Sequence, residues 1–203
     1  MTKSWPSRRT APAERKGGLR ERQILDAAEE LLAANAYTDL TIGDIAEAAG
    51  ITRGALYFYF ASKQDVFIAL VARTVQLLQE KSWKALTDTA PVDEVIASAM
   101  ERTAQLWREH AVVMRAAVDL GSSVPEIDRL WTSTAEAFSE AIAAVLNRAG
   151  IPFGEGPGDA PALGRALCWM IERTFYRASL SSIDDLDAAA RTCQTVWTLM
   201  SRS

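Results

Sequence analysis

The sequence predicts an all-α fold, a small N-terminal bundle followed by a larger helical body. Three observations lead there. The apolar residues recur at helical spacing, as in Ile24, Ala28, Leu31 and Leu32, the i, i+4, i+7, i+8 stripe of a helix with one buried face. No run of alternating β-branched residues marks a strand. Ser/Thr-x-x-Asp/Glu signals recur at Thr41–Asp44, Ser62–Asp65, Ser123–Glu126 and Ser182–Asp185. In that pattern a hydroxyl takes an orphan amide and the acid favours the positive end of the helix.

These signals divide the chain into helices over 19–36, 41–48, 52–59, 63–86, 91–109, 111–119, 124–149, 160–180 and 183–201. Pro91, Pro125 and Pro161 fall in first turns, where proline is tolerated. Gly50 supplies the left-handed residue of a sharp turn, and Gly150 closes a long alanine-rich helix. Residues 151–161, rich in Pro and Gly, form the one long loop. The first 18 residues hold Pro6, Pro12, Gly17 and Gly18 and read as a flexible arm.

Composition narrows the function classes. Of 203 residues, 49% are hydrophobic and 24% charged, enough apolar matter for a core and the opposite of a disordered composition. The longest apolar runs, Ala55–Ala61 and Val66–Ala72, fall far short of the ~20 residues that span a bilayer. No apolar stretch follows the N-terminal charges, so a secretory signal is not expected. Cys168 and Cys193 make no disulfide framework, and a reduced, cytoplasmic protein follows. A single histidine, His110, gives a metal site or a serine–histidine triad little to build on, and no cofactor is expected. The net charge is −4, yet residues 1–20 hold six Lys/Arg against one acid. A basic arm on an acidic body is suited to touching phosphates; a solubilising tail is the alternative.

Chemistry concentrates in Thr41–Lys63. Ile42, Ile45, Ala46 and Ala49 give a short helix its apolar face, and small Ala46 lets a second helix cross closely. Gly50 turns the chain, Ile51 plugs the angle, Thr52 caps the next helix, and Leu56 and Phe60 point inward. These are the requirements of a helix-turn-helix. Its second helix then presents Thr52, Arg53, Gly54, Tyr57 and Tyr59 outward. Arg53 can bridge O6 and N7 of guanine, Tyr57 can meet a thymine methyl or a phosphate, and Gly54 lets the backbone approach DNA. Thr41 and Lys63, at helix N-termini, are placed to hold phosphates. An ordinary αα corner is the alternative, but four consecutive aromatics, Tyr57–Phe60, cannot all be buried on one helix face.

Residues 41–66, Thr-Ile-x-Asp-Ile-Ala-x-x-Ala-Gly-Ile-Thr-x-Gly-x-Leu-Tyr-x-Tyr-Phe-x-Ser-Lys-x-x-Val, resemble the DNA-binding region of the TetR family of bacterial regulators. The resemblance implies that Thr52, Arg53, Gly54, Ala55 and Tyr57 face bases, while Thr41, Tyr59 and Lys63 face phosphates. Position 59, often histidine in that family, is tyrosine here. Leu130-Trp131 and Cys168–Ser179 are similar to the ethionamide-repressor subgroup. The implied organisation is an arm over 1–18, a helix-turn-helix domain over 19–63, and a ligand-binding and dimerisation domain over 64–203.

In that last part, Trp83, Trp107, Trp131, Trp169 and Trp197 are interspersed with Met100, Met114, Phe138, Met170, Phe175 and Tyr176. A soft aromatic and methionine-rich interior suits an apolar-ligand cavity. Met100, Trp107, Met114, Trp131, Phe138, Cys168, Ile171 and Trp197 are the expected ligand contacts; a solid core is the alternative. Helices 160–180 and 183–201 carry apolar stripes (Leu163, Leu167, Met170, Thr174; Ala189, Val196, Leu199, Met200) that the resemblance makes a homodimer interface. Adjacent Glu172 and Arg173 read as an ion pair across it. The function expected is a repressor that binds a double-stranded inverted-repeat operator as a dimer and is released by a small, largely apolar effector, with no membrane partner. An enzyme using Glu172 with Arg173 or His110 would lack a phosphate loop, nucleophile elbow or metal cluster.

Overall fold

A computed structural model describes residues 16–86 and 89–202. Its α-helices are α1 Lys16–Ala34, α2 Ile42–Ala48, α3 Arg53–Tyr57, α4 Lys63–Leu86, α5 Val92–Gly121, α6 Pro125–Arg148, α7 Ala160–Ala178 and α8 Ile183–Ser201. No strand occurs among the described residues. The described residues divide into two compact units, one up to Val66 and one from Phe67 onward, so the boundary falls within α4.

In the first unit α1 begins at Lys16, so Lys16, Gly17 and Gly18, expected in the arm, are helical backbone. The rest of the arm, residues 1–15, lies outside the described residues. α1 ends at Ala34, two residues before the expected end of the first helix, and a 3-10 turn, Tyr37–Asp39, follows. The core holds Ile24, Ala28, Leu40, Ile42, Ile45, Ala46, Leu56 and Phe60. Ala46 is fully covered, and its carbonyl takes the Ile51 N–H at 2.9 Å across the turn. Gly50 there has φ 64°, a conformation that disfavours any Cβ.

The second unit is built from the rest of α4 and α5 to α8 around one core that includes Trp107, Phe175, Leu146 and Ile96. Trp107 stacks on Phe175 with ring centroids 6.3 Å apart. Gly164 lets α7 cross α6 closely, since a β-carbon there would sit 2.6 Å from the Ser139 carbonyl. Gly150, at φ 102°, ends α6 as expected.

Two expectations change. The helices expected over 91–109 and 111–119 run as one element, α5, bent at His110, whose φ −129° and ψ 18° break the helix locally. The sequence places the break correctly but not the continuation, because buried residues on both sides of it hold the two halves in one core. Ser123 does not cap α6. Its hydroxyl turns back to the Leu120 carbonyl at 3.1 Å, and Val124 occupies the N-cap with Pro125 in the first turn. A serine hydroxyl serves either partner, and the preceding helix end competes for it.

Candidate functional site

The helix-turn-helix is fixed by caps. The Thr41 N–H and hydroxyl both donate to Asp44 Oδ2 at 2.8 Å, and the Asp44 N–H donates to Thr41 Oγ1 at 3.2 Å, a complete capping box. These hydrogen bonds from Thr41, with the nearby charge of Arg53, hold the Asp44 carboxyl below its ordinary pKa. Thr52 caps α3 by accepting the Ala55 N–H at 3.1 Å. Leu56 is fully buried, anchoring α3 so that its other face stays open. On that face Thr52, Arg53, Gly54, Ala55 and Tyr57 are all exposed. Nothing but the Thr52 hydroxyl approaches the Cβ position of Gly54, so backbone is accessible there.

The expected phosphate contacts are placed less simply. Both Thr41 donors are engaged by Asp44, which leaves its role one of capping α2. Lys63 Nζ donates to the carbonyls of Tyr37 (2.9 Å) and Leu40 (2.8 Å) and lies 4.2 Å from the Tyr37 ring centroid. It closes the turn between α1 and α2, with one of its three N–H groups left over. Tyr59 is half-buried, edge-on to Phe58 at 5.5 Å. Phe58, absent from the expected contacts, is 86% exposed. The unburiable aromatic run was its signal: once Leu56 and Phe60 take the inside, Phe58 has nowhere else to go. Arg53 lies over α2, close enough that a β-carbon on Gly43 would be 3.5 Å from its Nε.

The second unit holds a cavity of about 130 Å³. It has room for several waters, well beyond a packing defect. Met100, Trp107, Met114, Trp131, Phe138, Cys168, Ile171 and Trp197 all line it. Sequence reasoning missed Leu78 of α4, Arg102 and Thr103 of α5, Thr134 of α6, and Glu172 of α7. Small and polar residues carry no aromatic signal, and only the helix crossings bring them to one space.

The wall is apolar with polar exceptions. The Cys168 thiol donates to the Ala135 carbonyl at 3.4 Å, and burial pushes its pKa up, so it is an unreactive lining group. Arg102 Nη2, Glu172 Oε1 and Trp197 Nε1 are buried without a hydrogen-bond partner. Such groups cost about 1–3 kcal/mol each when left unmet. Burial also pushes the Glu172 carboxyl above its ordinary pKa, opposed by the charge of Arg173.

Glu172 therefore corrects one expectation. It lines the cavity, while Arg173 sits exposed over the Tyr176 ring at 5.0 Å; neighbours on a helix point about 100° apart. The stripes on α7 and α8 also divide. Leu167 and Ala189 belong to the chain's own core, whereas Leu199 is 64% exposed, and Trp169, Leu180 and Ile183 on and between the same two helices are exposed as well. These helices are apolar on more than one side, so a stripe alone does not say which side faces in. Among the described residues no cluster could hold a metal ion, and no helix is long and apolar enough to cross a membrane.

A capped helix-turn-helix with an open second helix, in a chain whose other unit encloses an apolar cavity, defines the class: a helical DNA-binding regulator. The comparisons agree with it. Residues 24–70 match the pattern of the bacterial regulatory proteins of the tetR family, and residues 96–201 that of the C-terminal domain of transcriptional regulator EthR. The HTH-type transcriptional regulator EthR of Mycobacterium tuberculosis is 31% identical over 188 residues, covering 87% of this chain and 85% of its own. A tetR-family regulator from Streptomyces coelicolor superposes with TM-score 0.73 at 20% identity, over 90% of this chain and 80% of that one. The transcriptional regulator FadR of Bacillus subtilis, solved in complex with stearoyl-CoA, gives 0.69 at 21% identity over 87% and 96%. The chain belongs to the TetR family of DNA-binding transcriptional regulators, a family of regulators and not of enzymes.

Proposed function

We propose that the chain is a repressor that binds an inverted-repeat operator as a homodimer and is released by a small molecule seated in the cavity of the second unit. One α3 reads too few bases to be selective. Two of them about 34–36 Å apart would address successive major grooves. Arg53, Gly54, Ala55, Tyr57 and Thr52 are the proposed base-facing set, with Phe58 adding apolar surface beside Tyr57. Tyr59 and the remaining donor of Lys63 are the proposed phosphate contacts, and the six Lys/Arg of residues 1–20 add charge. The domains proposed are the arm, a DNA-binding domain over 19–63 and a ligand-binding and dimerisation domain over 64–203, with α7 and α8 as the dimer surface. The exposed Trp169, Leu180, Ile183 and Leu199 on and between those helices support the last point.

The observation that carries the effector reading is Leu78. It belongs to α4 and lines the cavity, while the same helix begins at Lys63, which closes the turn preceding α2. An occupant that moves Leu78 moves α4, and α4 is continuous with the DNA-reading unit. The occupant releases DNA only by as much as it prefers the non-binding state.

Selection of binding sites from random DNA, followed by anisotropy of the winner across a salt series, tests this. An enriched inverted repeat with a steep salt slope is expected. No enrichment, with only weak salt-sensitive binding, would replace the repressor with an architectural binder that touches DNA through its arm.

A further inference from the structure

The three unpartnered polar atoms of the cavity come from three different helices: Arg102 on α5, Glu172 on α7 and Trp197 on α8. Among the described residues no other buried side-chain nitrogen or oxygen lacks a partner. Buried polar groups are ordinarily satisfied, so their convergence on one space points to an occupant that satisfies them. Trp197 is only 3% exposed, and its indole N–H has no water-facing alternative.

The chemistry of the three decides what the occupant carries. A guanidinium and an indole N–H donate and never accept. Burial favours the protonated form of Glu172, opposed by the charge of Arg173. Arg102 has no such escape, because guanidinium stays charged at any physiological pH. The unmet demand of the cavity is therefore for an acceptor, and an anionic one answers Arg102 best. The rest of the wall is mainly apolar, including Met100, Phe138 and the rings of Trp107 and Trp131, and its Thr103, Thr134 and Cys168 donors are already engaged by backbone carbonyls.

We propose that the cavity is built for an amphiphilic carboxylate, its head held by Arg102 and Trp197 and its apolar body laid along the rest of the wall. This rests on reading the cavity as the effector site, and it replaces a purely apolar effector with one that carries a charged head. Arg102 is the anchor, Trp197 adds the second donor, and Glu172 lines the same wall.

Calorimetric titration of the full-length protein with decanoate, 1-decanol and decylamine, all below their micellar concentrations, tests it on one chain length with three heads. Decanoate is expected to bind at least about tenfold more tightly than decanol. Arg102→Leu is expected to bring decanoate binding down to about that of decanol, with thermal unfolding of the variant reporting whether it is folded. Trp197→Phe is expected to reduce the advantage in part. Equal binding of acid and alcohol by the native protein would overturn the proposal and leave a plain apolar cavity. Preference for decylamine, lost in Glu172→Gln, would overturn it in favour of Glu172 as anchor. Should Arg102→Leu fail to fold, the ratio of acid to alcohol in the native protein still decides. Binding of none of the three would instead remove the effector reading itself.

Discussion

The two units solve opposite problems. The first keeps its functional side chains outside and spends its small interior on holding them there: Leu56 and Phe60 are buried so that Arg53, Tyr57 and Phe58 are not. The second keeps its functional groups inside, where Arg102 Nη2, Glu172 Oε1 and Trp197 Nε1 are the buried side-chain atoms without a hydrogen-bond partner among the described residues. A surface reader depends on caps and turns, which are local. A cavity depends on helix crossings, which are not. Substitutions should therefore separate the two activities.

The largest separation is expected from Leu56→Ala. Truncating a fully buried leucine costs about 2–5 kcal/mol, a large share of the stability of a unit this small. DNA binding by anisotropy should be lost while titration of the cavity is unchanged; parallel loss of both would show that the units do not behave separately. Gly164→Val is the converse. Its new β-carbon meets the backbone of Ser139 and Ala143, so α6 and α7 must part, at about 1–3 kcal/mol. Ligand binding should fall, with the melting of the second unit, while α3 itself is untouched. A cavity titration curve identical to the native one would break the contrast.

Arg53→Ala sharpens it on the DNA side. A loss of about 1–3 kcal/mol, confined to one base pair per half-site, is expected from competition among operator variants. Equal loss on every sequence would reassign Arg53 to the phosphates.

Glu172→Gln is the smallest effect. Burial raises the folded-state pKa of Glu172 above its unfolded value, so the folded chain holds this proton more tightly. Stability is then fullest below the ordinary carboxylate range, falls as pH rises through the raised value, and stays reduced above it. Compared with the native protein, the variant should gain Tm near neutrality and gain nothing at about pH 4. A gain of the same size at both values would mean that the charge of Glu172 is not what burial penalises.

Much of the first unit is decided by residues within four of each other. The Thr41–Asp44 box, the Thr52 cap, the turn at Gly50 and the buried pair Leu56 and Phe60 all follow from local spacing, and the sequence by itself determines them. The aromatic and methionine lining of the second unit is likewise visible as composition, since large soft side chains must be housed somewhere. The tertiary structure decided what spacing cannot carry. It turned Lys63 onto two carbonyls 26 and 23 residues earlier, joined two expected helices at His110, sent Ser123 back to Leu120, and faced Glu172 inward. Each outcome is a competition between partners distant in sequence. A periodic pattern records that a residue has a preferred face, but only packing fixes what that face meets.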